Sequence, residues 1–265
     1  MSFAGFVNLH THTPRCGHAS GGEREYAEKA LANGMKAIGF SDHCPYVFPG
    51  GYYSRHRMRP AEAGDYVSTL LGLEREYKGR LDVRIGYEVE YYPAWFAQTH
   101  ALLTSRRCDF LILGQHFLYN EYDKRVHCYR AETDPDVLNL YVDQTLAGMR
   151  TGVFTYLAHP DLMDLAGEDA ASGKAYRAAY SRLIAGAIDM KMPLEINFHG
   201  IVDGRSYPSD RFFALAGEMG AEVCFGCDAH VPEEIVDSAA LRRAEEMVER
   251  HSLRFVPFPS LRNPV

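Results

Sequence analysis

No stretch of this chain approaches the roughly eighteen consecutive apolar residues that a membrane-spanning helix needs, which excludes a helical membrane protein. The N-terminal Met1-Ser2-Phe3-Ala4-Gly5 lacks the basic region and apolar run of a secretion signal, so the chain reads as cytoplasmic. Positive charge is also scarce. Lys and Arg number 28 against 35 Asp and Glu, a net charge of −7, which argues against general affinity for nucleic-acid phosphates. An anionic substrate would need a local positive site, which bound metals can supply. Cysteine is limited to Cys16, Cys44, Cys108, Cys128, Cys224 and Cys227; without a secretion signal these read as reduced thiols, not a disulfide frame. Cys224-Phe225-Gly226-Cys227 has the two-residue spacing of zinc and redox sites, but it stands alone in an apolar run and reads as buried structural thiol. Low-complexity linkers and fixed-period repeats are missing too, so residues 1–265 are expected to form a single domain.

What is present is an alternation of short apolar runs with longer segments of helical period, the pattern of βα units around a parallel sheet or barrel. The expected strands are 5–10, 36–41, 82–89, 109–114, 153–158, 193–197 and 222–227. The expected helices are 22–33, 60–78, a segment opened by Asp134-Pro135 and closed by Gly152, and 172–189, 209–219 and 232–250, the last three opening at Ser172, Ser209 and Pro232. This is an α/β chain whose architecture is expected to be an irregular, TIM-like barrel. Three longer polar loops, 44–59, 117–133 and 198–208, lie at or near the C-terminal ends of strands, where such folds carry their chemistry.

Those same strand ends are rich in histidine and carboxylate. His10 and His12, two residues apart in Val7-Asn8-Leu9-His10-Thr11-His12, project to one side of an extended chain and make a chelating pair. His43, Glu88, His116, His159, Asp228 and His230 each sit at or just beyond a strand end, and His18 follows the first. Seven histidines and two carboxylates exceed the four or so donors that one tetrahedral ion uses, so the inventory implies two or three divalent ions, zinc, iron or manganese. Glu88 is placed to bridge two of them. The bland alternative is a buried polar network, but unpartnered groups would cost it about 1–3 kcal/mol each. Asp42, one residue before His43, would point the other way in strand geometry and so orient a ligand; Asp161 reads as a cap or a supporting group. His100 and His251 read as exposed helix residues, while His127 and His199 lie in the long loops that could meet substrate.

Leu9-His10-Thr11-His12-Thr13, Cys16-Gly17-His18-Ala19 and Ile38-Gly39-Phe40-Ser41-Asp42-His43-Cys44-Pro45, followed in order by Glu88, His116, His159 and Asp228-Ala229-His230, resemble the PHP (polymerase and histidinol phosphatase) family. Within it they are most similar to the histidinol-phosphate phosphatase branch, over nearly the whole chain. The resemblance implies a distorted (β/α)7 barrel, a trinuclear metal centre and phosphate-ester hydrolysis. It implies one ion on His10, His12, Glu88 and Asp228, a second on Glu88, His116 and His159, and a third on His18, His43 and His230.

The chain departs from that branch where the phosphate would be held. The stretches His159-Pro160-Asp161-Leu162-Met163-Asp164 and Asn197-Phe198-His199-Gly200-Ile201-Val202 contain no Arg or Lys. A displaced clamp is expected among Arg15, Arg55, Arg57, Arg59, Arg130 and Arg205, with Arg57 and Arg205 preferred, because planar guanidinium binds phosphate bidentately. The expected reaction is hydrolysis of a small phosphate monoester: hydroxide shared by two ions attacks phosphorus in line. Asp228 or His199 is then the proton donor to the leaving oxygen, and Asp42 a supporting group. Two other readings stay open, a cyclic-phosphate or nucleotide phosphodiesterase, for which the tyrosine-rich loops offer stacking surfaces, and a non-catalytic metal-binding domain. A carbon–nitrogen hydrolase would use the same metal chemistry. The expected partner is a small phosphate ester, without stable nucleic acid or membrane; the oligomeric state is left open.

Overall fold

The structure, a computed structural model, describes residues 5–123, 125–167 and 169–265. Residues 1–4, on which part of the N-terminal reading rests, lie outside them. Ten strands occur among the described residues: β1 Ala37–Phe40, β2 Asp82–Val89, β3 Phe110–Leu113, β4 Phe117–Tyr119, β5 Arg125–His127, β6 Arg130–Glu132, β7 Met163–Leu165, β8 Leu194–Asn197, β9 Glu222–Gly226 and β10 Arg254–Phe255. β1, β2 and β3 pair in parallel, as do β8, β9 and β10. Single bridges complete the ring: Asn8 to Ile38, Leu113 to Leu157, Leu157 to Leu194, and Thr11 to Ala229. The result is a curled parallel sheet of seven segments with helices outside it, the irregular TIM-like barrel expected.

Two expected strands, 5–10 and 153–158, survive only as bridges, and local chemistry explains both. At the first, the Asn8 side chain replaces ladder bonds: its Oδ1 accepts from the His10 and Cys227 amides at 3.0 and 2.9 Å, and its Nδ2 donates to Thr11 Oγ1 at 2.8 Å. At the second, the neighbouring segment begins at Pro193, which accepts from Leu157 N but has no amide to return.

The helices Glu23–Ala32, Ala63–Tyr77, Pro135–Met149 and Asp210–Met219 fall where hydrophobic period and capping residues put them. Two starts differ. The helix Ala170–Asp189 is capped by Asp169, whose carboxylate accepts from Ala171 N and Ser172 N, so Ser172 lies inside it. The expected helix 232–250 is interrupted: a short turn at Pro232–Glu234 is followed by Val236 at φ 58°, and the helix proper, Ser238–Arg250, restarts on the Asp237 cap. The helix Phe96–Thr104, absent from the expected ranges, carries His100, which the sequence places on a helix, and the presumed loop 198–208 opens with a short helix, Phe198–Val202, capped by Asn197. Likewise 117–133 holds the antiparallel pair β4–β5 and then β6, which pairs with β7. Buried aromatic and aliphatic side chains from every barrel segment form the core between sheet and helices. Among the described residues no helix is long and apolar enough to cross a membrane. All six cysteines are free, and all but Cys108 are buried.

Candidate metal centre

Two carboxylates enter the barrel mouth because the facing strand offers a glycine. A Cβ on Gly114 would lie 1.9 Å from Glu88 Oε1, and one on Gly226 would lie 1.8 Å from Glu195 Oε1. Side chains at those positions would occupy the carboxylates' space. Gly226→Ala is therefore expected to displace Glu195 and cost about 1–3 kcal/mol, the scale of overpacking, in denaturant unfolding; unchanged stability would contradict the close approach.

Around Glu88 the imidazoles converge. Glu88 Oε1 lies 2.8 Å from His159 Nε2 and 3.3 Å from His116 Nε2, while Oε2 lies 3.0 Å from His43 Nδ1, 3.6 Å from His10 Nε2 and 3.7 Å from His12 Nε2. Asp228 Oδ1 completes a second group, 2.9 Å from His12 Nε2 and 3.3 Å from His10 Nε2. His18 and His230 form the outer edge, their rings stacked at 4.8 Å, with His18 5.3 Å from His43 and His12 4.2 Å from His230. Donor atoms of His10, His12 and Asp228, of His10, Glu88 and His159, and of His12, His43 and His230 cluster closely enough to hold an ion. Cys16 also lies within such a distance of His18 and His230, although burial pushes its thiol up. His159 and Asp228 adopt left-handed backbone, φ 27° and 49°, strain of the kind held at functional sites.

Most of these rings are held from behind. His10 Nδ1 meets Glu195 Oε1 at 2.7 Å and His116 Nδ1 meets Glu90 Oε1 at 2.9 Å; His18 Nδ1 and His230 Nδ1 approach the Cys16 and Asp228 carbonyls at 3.1 and 2.9 Å. His12 Nδ1 lies 3.5 Å from Asp42 Oδ1. Glu195 Oε2 accepts from His159 N and Asn197 Nδ2, each at 2.9 Å, and Asn197 reaches Asp228 Oδ2 at 3.1 Å. Such backing fixes the tautomer and aims the opposite nitrogen into the cluster. Sequence reasoning missed Glu195, Glu90 and Asn197. The available signal was a glutamate inside the apolar four-residue strand Leu194–Asn197.

The electrostatics ask for cations. Buried Asp42, Glu88, Glu90, Glu121, Asp161, Glu195 and Asp228 face one buried guanidinium, Arg57, among the described residues. The imidazoles respond unequally. Burial opposes the charge on His10 and His12, but the surrounding carboxylates, chiefly Asp228, prevail, raising His10 and bringing His12 to about 9. Burial lowers His18 and His230 and drives His43 down to about 3, leaving these rings in the neutral form that ligates metal. Burial would also raise Glu88 and Asp228, yet the histidines around them hold both well below the carboxylate range. Buried His10 Nε2, His12 Nε2, His230 Nε2 and Glu88 Oε2 have no hydrogen-bond partner, which costs heavily unless something fills the space between them.

The cluster floors a cleft of about 500 Å³ whose walls include His199, Arg205, Tyr129 and Tyr207. Of the residues expected to meet substrate, Arg205 and His199 are therefore at the cleft, with Arg205 Nη2 2.6 Å from Asp203 Oδ2. Arg57 is not available for a phosphate. It is 2% exposed, and its guanidinium is consumed by Glu121, Glu90 and the Cys44 carbonyl, so its expected role as a clamp is corrected. Asp42, expected to orient a ligand and support the reaction, has no access to substrate: wholly buried, it accepts from Thr13 Oγ1 and the His43 amide and lies behind His12. Asp228 turns Oδ1 toward His10 and His12 and accepts from Asn197 Nδ2 through Oδ2, while His199 stands at the cleft wall. Arg15, Arg59 and Arg130 are engaged by Glu23 and Asp65, by the Tyr53 ring, and by Glu132. Asp161, pushed up to about 7 by burial, accepts from Ser209 N. His100 and His251 are bound to the Pro264 carbonyl and Asp210, away from the cleft.

A curled parallel barrel with a histidine–carboxylate cluster at its strand ends defines a class of protein built to hold several metal ions at one mouth. The chain belongs to the PHP domain family, whose model matches residues 8–199. Asp228 and His230 lie beyond that span and rest on geometry. A probable histidinol-phosphatase of Deinococcus radiodurans is 29% identical over 246 residues, 87% of this chain and 88% of that protein. A histidinol-phosphatase of Bacillus subtilis is 36% identical over 117 residues, covering 41% of this chain and 43% of its own length. Among solved structures, the histidinol phosphate phosphatase of Lactococcus lactis, complexed with Zn, L-histidinol and phosphate, superposes with a TM-score of 0.73 at 17% identity, covering 98% of this chain and 97% of that one. That likeness is one of fold.

Proposed function

We propose that residues 1–265 act as one PHP-type, metal-dependent phosphoric monoester hydrolase on a small substrate of the histidinol-phosphate kind. The observation that carries this reading is the set of inward imidazole nitrogens left unpartnered around Glu88 in a pocket dominated by carboxylates. Neutral imidazole and carboxylate oxygen suit zinc, iron and manganese, so the donors fit two or three divalent ions. His10, His12, Glu88 and Asp228 would hold one, Glu88, His116 and His159 another, and His18, His43 and His230 a third. Bound there, such ions supply Lewis-acid neutralisation of phosphoryl charge and lower the pKa of water toward neutrality.

The remaining work falls to the chain. Arg205 at the cleft wall binds an oxygen of the phosphate, partly neutralised by Asp203 until substrate competes for it. Tyr129, stacked on His116 at 5.4 Å, and Tyr207, edge-on to His159 at 6.0 Å, wall off water from the reacting phosphorus. His199 holds a proton for the leaving oxygen: burial alone would discharge it, but Glu234, Asp228 and Asp203 raise it. Its Nε2 lies 3.4 Å from Asp203 Oδ2 and its Nδ1 3.7 Å from Glu234 Oε1. Arg205→Ala should lower kcat/KM about 10- to 100-fold, the worth of one charge-assisted hydrogen bond, mostly through KM; steady-state kinetics with unchanged KM would remove Arg205 from the site.

The reading is tested by phosphate release from histidinol phosphate and a nucleoside monophosphate, and by ring opening of a ribose cyclic phosphate to its monoester. Highest kcat/KM on histidinol phosphate supports it. Preference for the cyclic diester would make the chain a phosphodiesterase, and metal-replete protein inert on all three would make it a binding domain.

A further inference from the structure

The sequence offered Arg57 as a phosphate ligand; its surroundings give it different work. The guanidinium is wholly buried between three parts of the fold. Nη1 donates to the carbonyl of Cys44 at 3.0 Å, directly after His43. Nη2 donates to Glu90 Oε1 at 2.9 Å, and that same oxygen holds His116 Nδ1 at 2.9 Å. Nε and Nη2 meet the two oxygens of Glu121 at 2.6 and 2.9 Å, which ties in the loop after β4. The next residue, Met58, donates its amide to the His43 carbonyl at 3.2 Å. One side chain thus grips the backbone behind His43 and the carboxylate behind His116, two rings whose centres lie 5.1 Å apart.

A merely structural ion pair explains this poorly. Burying one guanidinium with two carboxylates carries a desolvation cost that apolar packing would avoid, and the group remains one negative charge in excess. Glu90 Oε2 is buried with no hydrogen-bond partner. The excess charge sits behind His116, where it strengthens that imidazole as a donor on the side facing Glu88.

We propose that Arg57 is a positioning residue for the metal site at Glu88, His116 and His159: through Glu90 it fixes the His116 ring, and through the Cys44 carbonyl it sets the spacing of His116 from His43. This rests on the metal-dependent reading above. Planarity is essential to the role, because an ammonium cannot serve Cys44, Glu90 and both Glu121 oxygens at once.

The experiment compares wild-type, Arg57→Lys and Arg57→Met proteins by zinc stoichiometry after dialysis, by chelator competition with zinc alone, and by the visible spectrum of the cobalt-substituted form. Wild type should bind at least two ions. Arg57→Met should fold and lose about one equivalent or bind the weakest ion about 10- to 100-fold less tightly, with altered cobalt bands; Arg57→Lys should fall between. The wild-type chelator profile and cobalt spectrum in Arg57→Met would overturn the inference. Should that variant not fold, Arg57→Lys, which keeps the buried charge, decides alone by the same readouts. Wild-type protein holding fewer than two ions would instead sink the metal-dependent reading itself, so the two failures are distinguishable.

Discussion

Glu88→Gln is expected to lower kcat by about 10³-fold or more, the upper end of what removing one preorganised charged group from a dry site costs, and to lower bound metal at the same time. The reason is geometric. Its two oxygens face different imidazole groups, His116 and His159 on one side and His10, His12 and His43 on the other. An amide offers one neutral acceptor where the site has two anionic ones, and its NH2 points a donor at nitrogens that need a cation. The folding cost should be small, because the side chain keeps its shape in the gap left by Gly114. Metal analysis and phosphate release on the same preparation check the prediction. Full turnover with reduced metal, or full metal with lost turnover, would each break the proposed link between bridging and catalysis.

Removing the metals is the second large perturbation. Each ion that binds only the folded state at about a thousand times its Kd contributes about 4 kcal/mol. In a chain of this size that corresponds to a melting-temperature fall of roughly 10 °C per site lost. The fall should be steep because Glu88 and Asp228 are buried among the histidines with no cation between them once the metal is gone, and the raised His10 and His12 then carry protons to compensate. Thermal unfolding with and without a chelator, followed by zinc or manganese add-back, reads this directly. An unchanged melting temperature in demonstrably metal-free protein would mean that the buried charges are balanced by the chain alone.

The sequence and the structure agree where side-chain type and strand position speak together. His10, His12, His43, Glu88, His116, His159 and Asp228 follow apolar runs, and a parallel barrel brings the ends of such runs to one rim. The supporting layer was harder to see. Glu90 and Glu195 differ from surface glutamates only in which way they point, and that depends on register and on the glycines opposite them. Arg57 shows the converse error: amid tyrosines in a polar loop it looks exposed, and nothing local reveals that Glu90 and Glu121, distant in sequence, bury it. The broken helix at Val236 and the bridges at Asn8 and Leu157 were hidden for a related reason, since side-chain hydrogen bonds and a proline there replace the backbone pairing that hydrophobic period anticipates.

The central claim is that several cations share Glu88. Anomalous diffraction at the zinc edge from crystals of the zinc-loaded protein tests it most directly. At least two anomalous peaks flanking the Glu88 carboxylate, one against His10, His12 and Asp228 and one against His116 and His159, are the predicted result; a single peak, or peaks that leave Glu88 without a metal neighbour, would contradict it.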